Sequence, residues 1–412
     1  MFFSIMATKK NTAKKSISIK KTPSSLGKPM KGRDVIVRAL ENEGVKVIFG
    51  YPGGTSMEIH QGLTLSKKIR MVLPRHEQGG SFAAGGYARS TGDVGVCMAT
   101  SGPGATNLIT GIIDAKMDSI PLVAITGQVA STLLGSDAFQ ETDIMGATFP
   151  LVKHSYMVQN VEEIPKIINE AFHIARSGRP GPVLIDIPKN IQQQEGIADF
   201  NVKFDCPSYR PNLKPSILQC KKAAHAIQTA KRPIIYAGGG IVSSGASEEL
   251  RAFVKKTGIP VTTTAMGLGI FPSNDPLSLR MLGMHGAVYA NIAINHADLV
   301  IAMGVRFDDR VTGKLAEFCK NAQFIHMDID PTEINKNIVV DVPIQGDVKQ
   351  TLKIMQGYVE PNKDIKPWVK QVQGWKKEFP LEFKLKKGEI VPQSVVSDIN
   401  KLTHKLSLKL ES

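Results

Sequence analysis

The 412-residue chain has no apolar run near the roughly 18–20 residues that span a bilayer, which excludes a helical membrane protein. It has no clustered cysteine. Cys97, Cys206, Cys220 and Cys319 are scattered with no CxxC, which excludes a thiolate zinc site and a disulfide framework and fits reduced thiols inside a cell. His60, His154, His173 and His225 show no ligand spacing, and HExxH, GxSxG and DxDxDG motifs are missing. Acid is absent from residues 1–33, which carry eight Lys and one Arg. That segment supplies +9 of the formal +14, so the remaining body is close to neutral and a nucleic-acid binder is not indicated.

Residues 1–32 are rich in Lys, Ser and Thr, and self-repulsion with low hydrophobicity predicts a disordered tail. An organelle transit peptide and a solvated bacterial extension fit equally; the FFSI stretch is too short for a secretory core of roughly 7–15 residues.

What is present is alternation. Strand signals fall at 45–49, 69–73, 94–99, 122–126, 152–158 and 183–187. Helical patterns lie among them at 77–90, 105–116 and 161–176. This βαβ rhythm predicts an α/β fold with a doubly wound parallel sheet, whose ligands gather beyond the strand carboxyl ends. Residues 198–215 are proline-rich and aperiodic and read as a linker. A second unit follows over 216–358, with strands at 233–237, 259–263, 299–303 and 324–329. Residues 359–390, Lys-rich and irregular, read as another linker, and 391–412 as a lone helix where a third domain begins.

Five loops carry the chemistry. Glu77 stands where a strand gives way to a helix, a position that dipole effects alone explain. Its company is Gly53-Gly54 after an earlier strand and Ser101-Gly102-Pro103-Gly104 after a later one, so a carboxylate and two open turns converge on one sheet edge. The SGPG turn fits a phosphate cradle or an ordinary tight turn. In the second unit Gly238-Gly239-Gly240 is a loosened dinucleotide loop, and Gly304-Val305-Arg306 adds a cation at the same edge. Arg179 and Lys189 read as solvated charge, and the Phe307-Asp308-Asp309-Arg310 run reads as a metal or substrate loop or, more simply, as a surface turn with an ion pair of small worth. Composition and spacing reach a two-domain α/β protein with a nucleotide-like cofactor.

Taken together, YPGG, RHEQGGSFAAGGYAR, TSGPGATN, GSDAFQE, GRPGPVLIDIPK, AGGG, LGMHG, GVRFDDRVTG and HMDIDPTEI are far more specific. In this order, from about residue 32 to about residue 356, the chain resembles the large catalytic subunit of acetolactate synthase (acetohydroxyacid synthase), a flavin-containing thiamine-diphosphate enzyme. The resemblance implies a pyrimidine-binding domain over 33–197 and a Rossmann-like central FAD domain over 216–358. It implies a magnesium-dependent transferase of branched-chain amino-acid biosynthesis, joining two pyruvates to 2-acetolactate with loss of CO2, or pyruvate to 2-oxobutanoate. Glu77 would hold N1′ of the thiamine pyrimidine. Gly53 and Gly54 would let backbone approach the cofactor, with Gly54 and Gln140 at the reacting carbon. Phe139, Lys189 and Arg310 would line the substrate channel. Arg179, Gly238, Gly239, Met284, His285, Gly304, Arg306 and Asp328 would contact FAD, which is not turned over in the main reaction.

Two departures from the family pattern stand out. After TGQV the family usually has Pro where this chain has Ala130, which implies weakened inhibition by channel-blocking herbicides. Gly-Asp-Gly, which with a later Asn binds the Mg2+ that anchors the diphosphate, is nowhere in the sequence, so the chain itself offers no metal ligands. The expectation is a chain truncated before its third domain, with that domain in another chain, or a non-catalytic FAD-binding assembly subunit. Expected partners are a second copy or higher oligomer, a regulatory small subunit and the two 2-oxo acids, in bacterial cytoplasm or plastid stroma.

Overall fold

A computed structural model describes residues 27–383, 388 and 390–410. Most of the expected basic tail lies outside the described residues. Met30–Lys31, at its end, pairs antiparallel with Glu195–Gly196, and Gly32 N–H donates to Gln194 O at 2.8 Å. These pairings ahead of residue 33 run between main-chain groups, which composition does not report.

The chain divides into two compact units. The first holds the described residues up to Lys116, with Ile120–Ala175 and Pro182–Asp205; the second holds Met117–Ser119, Arg176–Gly181 and the described residues from Cys206 onward.

The sheet of the first unit comprises β1 (Val47–Gly50), β2 (Arg70–Val72), β3 (Gly95–Ala99), β4 (Leu122–Gln128), β5 (His154–Met157) and β6 (Pro182–Pro188). All pairings are parallel, in the order β2-β1-β3-β4-β6-β5. Every residue of β3, β4 and β6 is buried, as helices on both faces of a parallel sheet require. The helix Ile164–Arg176 buries Ile164, Ile167, Ile168, Ala171 and Phe172 on one stripe. The helix Glu77–Thr91 starts at a cap in which His76 Nδ1 accepts the Gln78 N–H at 3.1 Å and ends at Gly92 in the left-handed region. That cap fixes Glu77 as the first helical residue.

The second unit repeats the architecture with β7 (Pro233–Ala237), β8 (Val261–Thr263), β9 (Ser278–Met281), β10 (Leu299–Met303), β11 (Gln323–Asp328) and β12 (Val342–Gln345). Their order is β9-β8-β7-β10-β11-β12, again parallel, with the connection reversing between β7 and β10. Alternate strand residues feed two cores: Ile235, Ala237, Ile301 and Met303 face one side, Ile234, Tyr236, Val300 and Ala302 the other.

The expected linker over 359–390 is corrected in part. Lys366–Glu378 is a helix that buries Trp368 and Val372 in the second unit, and the Trp368 indole N–H donates to Pro233 O at 3.0 Å. Lys366, Lys370 and Lys377 are exposed and mask the apolar repeat of Ile365, Trp368 and Val372. No described helix is long and apolar enough to cross a membrane.

Candidate functional site

In the first unit the reversal of strand order falls between β1 and β3, and the expected loops meet there. Thr55, after β1, and Thr100, after β3, share a hydroxyl–hydroxyl bond of 2.9 Å. Thr55 N–H donates to Thr100 Oγ1 at 3.1 Å, and Ser101 N–H donates to Thr55 Oγ1 at 2.9 Å. This latch presses the two turns together. A Cβ on Gly53 would stand 2.5 Å from Thr100 Cγ2, so only glycine fits. Gly54 is exposed with open space around it, leaving its backbone reachable by a ligand.

Glu77 reaches the same edge from the β2 side. Its Oε2 accepts the Asn107 amide at 3.0 Å, and a Cβ on Gly104 would lie 3.4 Å from Oε1. Among the described residues Oε1 has no hydrogen-bond partner, so one carboxylate oxygen is oriented and the other is offered. The Ser101 hydroxyl is buried and likewise unpartnered there. Together these form a cradle with a carboxylate, a hydroxyl and close backbone, which fits a planar nitrogen heterocycle.

Gln140 joins this group. It sits at φ +58°, and a Cβ on Gly102 (φ +59°) would come within 2.8 Å of Gln140 O. Phe139 beside it is 88% exposed. Lys189 opens the short helix after β6, which Gln192 ties to the first loop by donating to Thr55 O at 2.7 Å. Glu77, Gly53, Gly54 and Gln140 are therefore brought together, and Lys189 shares their sheet edge.

The second unit holds a cavity of about 420 Å³ at its own reversal point. The turns after β7 and β10 cross so closely that a Cβ on Gly240 would lie 2.5 Å from Gly304 Cα, and Gly304 itself is at φ +60°. Arg179, Gly239, Gly304, Arg306, Arg310 and Asp328 line the cavity. Arg179 donates to Ser119 Oγ at 2.9 Å, Asp330 Oδ2 at 3.0 Å and Glu333 Oε1 at 2.6 Å. Burial works against its charge, but the bonds to Glu333 and Asp330 outweigh it and hold the guanidinium above its ordinary pKa. Burial pushes Asp328 up to about 7 against the pull of Arg179, and burial lowers His326. Buried Glu333 Oε2 has no partner among the described residues.

Three expected flavin contacts differ in place. Gly238 is buried behind the turn rather than in the lining, where a Cβ would strike Gly304 O at 2.5 Å. Met284 and His285 are exposed and outside the lining, although Met284 N–H donates to Arg310 O at 2.8 Å. Arg310, expected to line the substrate channel, lines this cavity in the second unit. Sequence reasoning gave no role to Thr55, Asn107, Ser119 or Glu333. Asn107 and Glu333 stand inside the motif strings, whereas Thr55 and Ser119 lie outside them and carry no sequence signal. No group of His, Cys, Asp and Glu among the described residues could hold a metal ion.

Comparison with known proteins matches both units to one enzyme family. Residues 30–147 match the family described as thiamine pyrophosphate enzyme, N-terminal TPP binding domain, and residues 220–355 match thiamine pyrophosphate enzyme, central domain. Acetolactate synthase 3, chloroplastic, of Brassica napus is 53% identical over 382 residues, covering 91% of this chain and 58% of the relative. Acetolactate synthase, chloroplastic, of Arabidopsis thaliana is 52% identical over 91% of this chain and 57% of its own length. Acetolactate synthase 1, chloroplastic, of Zea mays is 52% identical over 91% of this chain and 60% of its own length. The chain thus spans 57–60% of the length of these relatives. With a carboxylate cradle in one parallel sheet, a glycine-crossed cavity in the next, and both domains matched in order, the chain belongs to the thiamine pyrophosphate enzyme family as a homologue of the acetolactate synthases.

Proposed function

We propose that the chain works as the catalytic subunit of an acetolactate synthase, joining two pyruvates into 2-acetolactate with release of CO2, or pyruvate with 2-oxobutanoate, toward branched-chain amino acids. The observation that carries this reading is the half-oriented Glu77 carboxylate, with Asn107 on Oε2 and, beside Gly104, an Oε1 that has no hydrogen-bond partner among the described residues. Thiamine diphosphate, when bound, supplies an acidic carbon and an electron sink for 2-oxo acid decarboxylation and coupling. Glu77 Oε1 would be the atom that shares a proton with a ring nitrogen of the bound pyrimidine and so would set the tautomer of that ring. Asn107 fixes the carboxylate plane. Gly53 and Gly54 bring peptide groups to the ring, and Gln140 and Phe139 bound the space for the 2-oxo acid. Lys189 offers a cation for its carboxylate.

In the second unit Gly239, Gly304, Arg306 and Asp328, with Arg179 behind them, would hold FAD in a structural role; the cavity volume falls in the usual ligand range of roughly 300–1,000 Å³. Mg2+ completes the cofactor set, and no part in binding it is assigned to the described residues. We place the protein in a homo-oligomer with a regulatory small subunit, and in the plastid stroma, since the relatives' names read chloroplastic.

The test is acetolactate formation by this chain reconstituted with the diphosphate-binding domain of a plant relative. Activity is expected, and Glu77→Gln should lower kcat at least about 100-fold, within the range for a lost proton-transfer group. Equal rates in the two proteins, or no acetolactate from the wild type, would overturn the reading.

A further inference from the structure

Asp186 lies in the middle of β6 at 1% exposure, paired on both sides by β4 and β5. A carboxyl this deep is costly unless it is hydrogen-bonded. Its Oδ1 accepts the Thr126 hydroxyl at 2.7 Å, and its Oδ2 accepts the Gln128 amide at 2.9 Å. Gln128 is itself only 2% exposed. Its Nε2 gives its second hydrogen to Thr142 O at 2.9 Å, and its Oε1 accepts Val129 N–H at 2.9 Å. Val129 and Thr142 are the two feet of the loop 129–142. One side-chain amide therefore staples both feet. Turning the amide over would aim Oε1 at two acceptors and NH2 at the Val129 donor, so Asp186 allows a single orientation.

The stapled loop carries Phe139 and Gln140. Gln140 holds a positive φ, which persists only where the surroundings over-determine it. Its main chain abuts Gly102, where a Cβ would lie 2.8 Å from Gln140 O, so the turn and the loop are in close contact. The loop has further ties: Ser131 N–H donates to Asn190 Oδ1 at 2.8 Å, Asn190 Nδ2 donates to Ser131 Oγ at 2.9 Å, and Gly135 N–H and Ala138 N–H donate to the Glu141 carboxylate. None of these joins the two feet.

We propose that Asp186 and Gln128 are positioning residues that seat the 129–142 loop, and with it Gln140, against the Gly102 turn, and so set the affinity of the site for its 2-oxo acid. The identity of that substrate rests on the function proposed above; the staple does not.

The test is hydrogen–deuterium exchange on the purified chain, read peptide by peptide, with a urea midpoint for each variant. Gln128→Met keeps the volume and removes the amide. It should speed exchange over 129–143 at least 10-fold, leaving the helix Glu77–Thr91 and the second unit unchanged. Asp186→Leu should behave alike. Asp186→Asn should keep wild-type protection, because its Oδ1 can accept from Gln128 while its Nδ2 donates to the Thr126 hydroxyl. In the reconstituted complex, Gln128→Met should raise KM for pyruvate about 10-fold with kcat within about threefold, and Asp186→Asn should leave KM near wild type. Unchanged loop exchange in Gln128→Met, or faster exchange spread evenly through the first unit, would overturn the staple. Faster loop exchange with unchanged KM in an active complex would overturn its link to substrate. A complex making no acetolactate at all would refute the proposed function instead, and the exchange result would still decide the staple.

Discussion

The two units are both six-stranded parallel sheets, yet their reversal points are finished differently. In the first, hydroxyls latch the turns: Thr55 and Thr100 draw the loops together, and a single carboxylate is left half-used beside them. In the second, glycines let the turns cross and open a cavity, and charged groups rim it through the Arg179–Asp330–Glu333 cluster. The contrast teaches that the fold supplies the place and the loop chemistry supplies the ligand class. A hydroxyl-latched cradle suits a flat ring that must share a proton. A cavity with fixed charges and peptide N–H groups suits a long, anionic dinucleotide.

The sharpest way to break this comparison is to fill the crossing in the second unit. Gly304→Ala adds a side chain at φ +60° and forces it into Gly240, whose Cα lies 2.5 Å from the ideal Cβ of Gly304. The strain and overpacking together should cost roughly 2–4 kcal/mol in urea unfolding. FAD retention should fall more than 10-fold while thiamine diphosphate affinity holds. Loss of both together would mean that the two sites are not separable.

The buried carboxyls sharpen it next. Burial raises Asp186 to about 6 against the pull of Thr126 and Gln128, and raises Asp328 to about 7 against the pull of the Asp330 N–H and Arg179. The folded protein keeps each proton where the unfolded chain, with an ordinary pKa near 3.8, has lost it. Each contribution is therefore full below about pH 4 and lost as pH rises, through about 6 for Asp186 and about 7 for Asp328. Urea unfolding between pH 4 and pH 8 should show the wild type losing stability on the order of a few kcal/mol. Asp328→Asn should remove its share of that fall from about pH 4 through about 7, including all of the fall above pH 6, and Asp186→Asn its share from about pH 4 through about 6. An identical pH profile in all three proteins would contradict the assignment.

The smallest effect belongs to Ala130, whose φ of −55° and ψ of 141° already suit proline. Ala130→Pro should raise stability by about 0.4–1 kcal/mol through the unfolded chain. It should also sharpen inhibition by channel-blocking herbicides, measured as a dose–response in the active complex. A lower urea midpoint or a coincident inhibition curve would remove Ala130 from the account.

How much of this was legible depended on burial. Central strands such as β4 and β10 are continuous apolar runs, and the sequence alone marks them. Edge strands β9 and β12 are half-exposed and carry Arg280 and Pro343, so their signal is weak. The helix Lys366–Glu378 hid behind its own lysines. Glu77, the glycine turns and Arg179 were legible because they stand in long motif strings. The Thr55–Thr100 latch and the Asp186–Gln128 bond were not, since each joins positions 45 or 58 residues apart that only the sheet order brings together. Met284 and His285 show the converse: both lie in a motif string, and neither lines the cavity.

The central claim is that the oxygen Asn107 leaves free on Glu77 is what the cofactor ring meets. Calorimetric titration of thiamine diphosphate and Mg2+ into the reconstituted complex, wild type against Glu77→Gln, tests it with no turnover needed. The account predicts at least a 10-fold weaker dissociation constant for the variant, at an unchanged urea midpoint and unchanged FAD content. Equal affinities in the two proteins would contradict it.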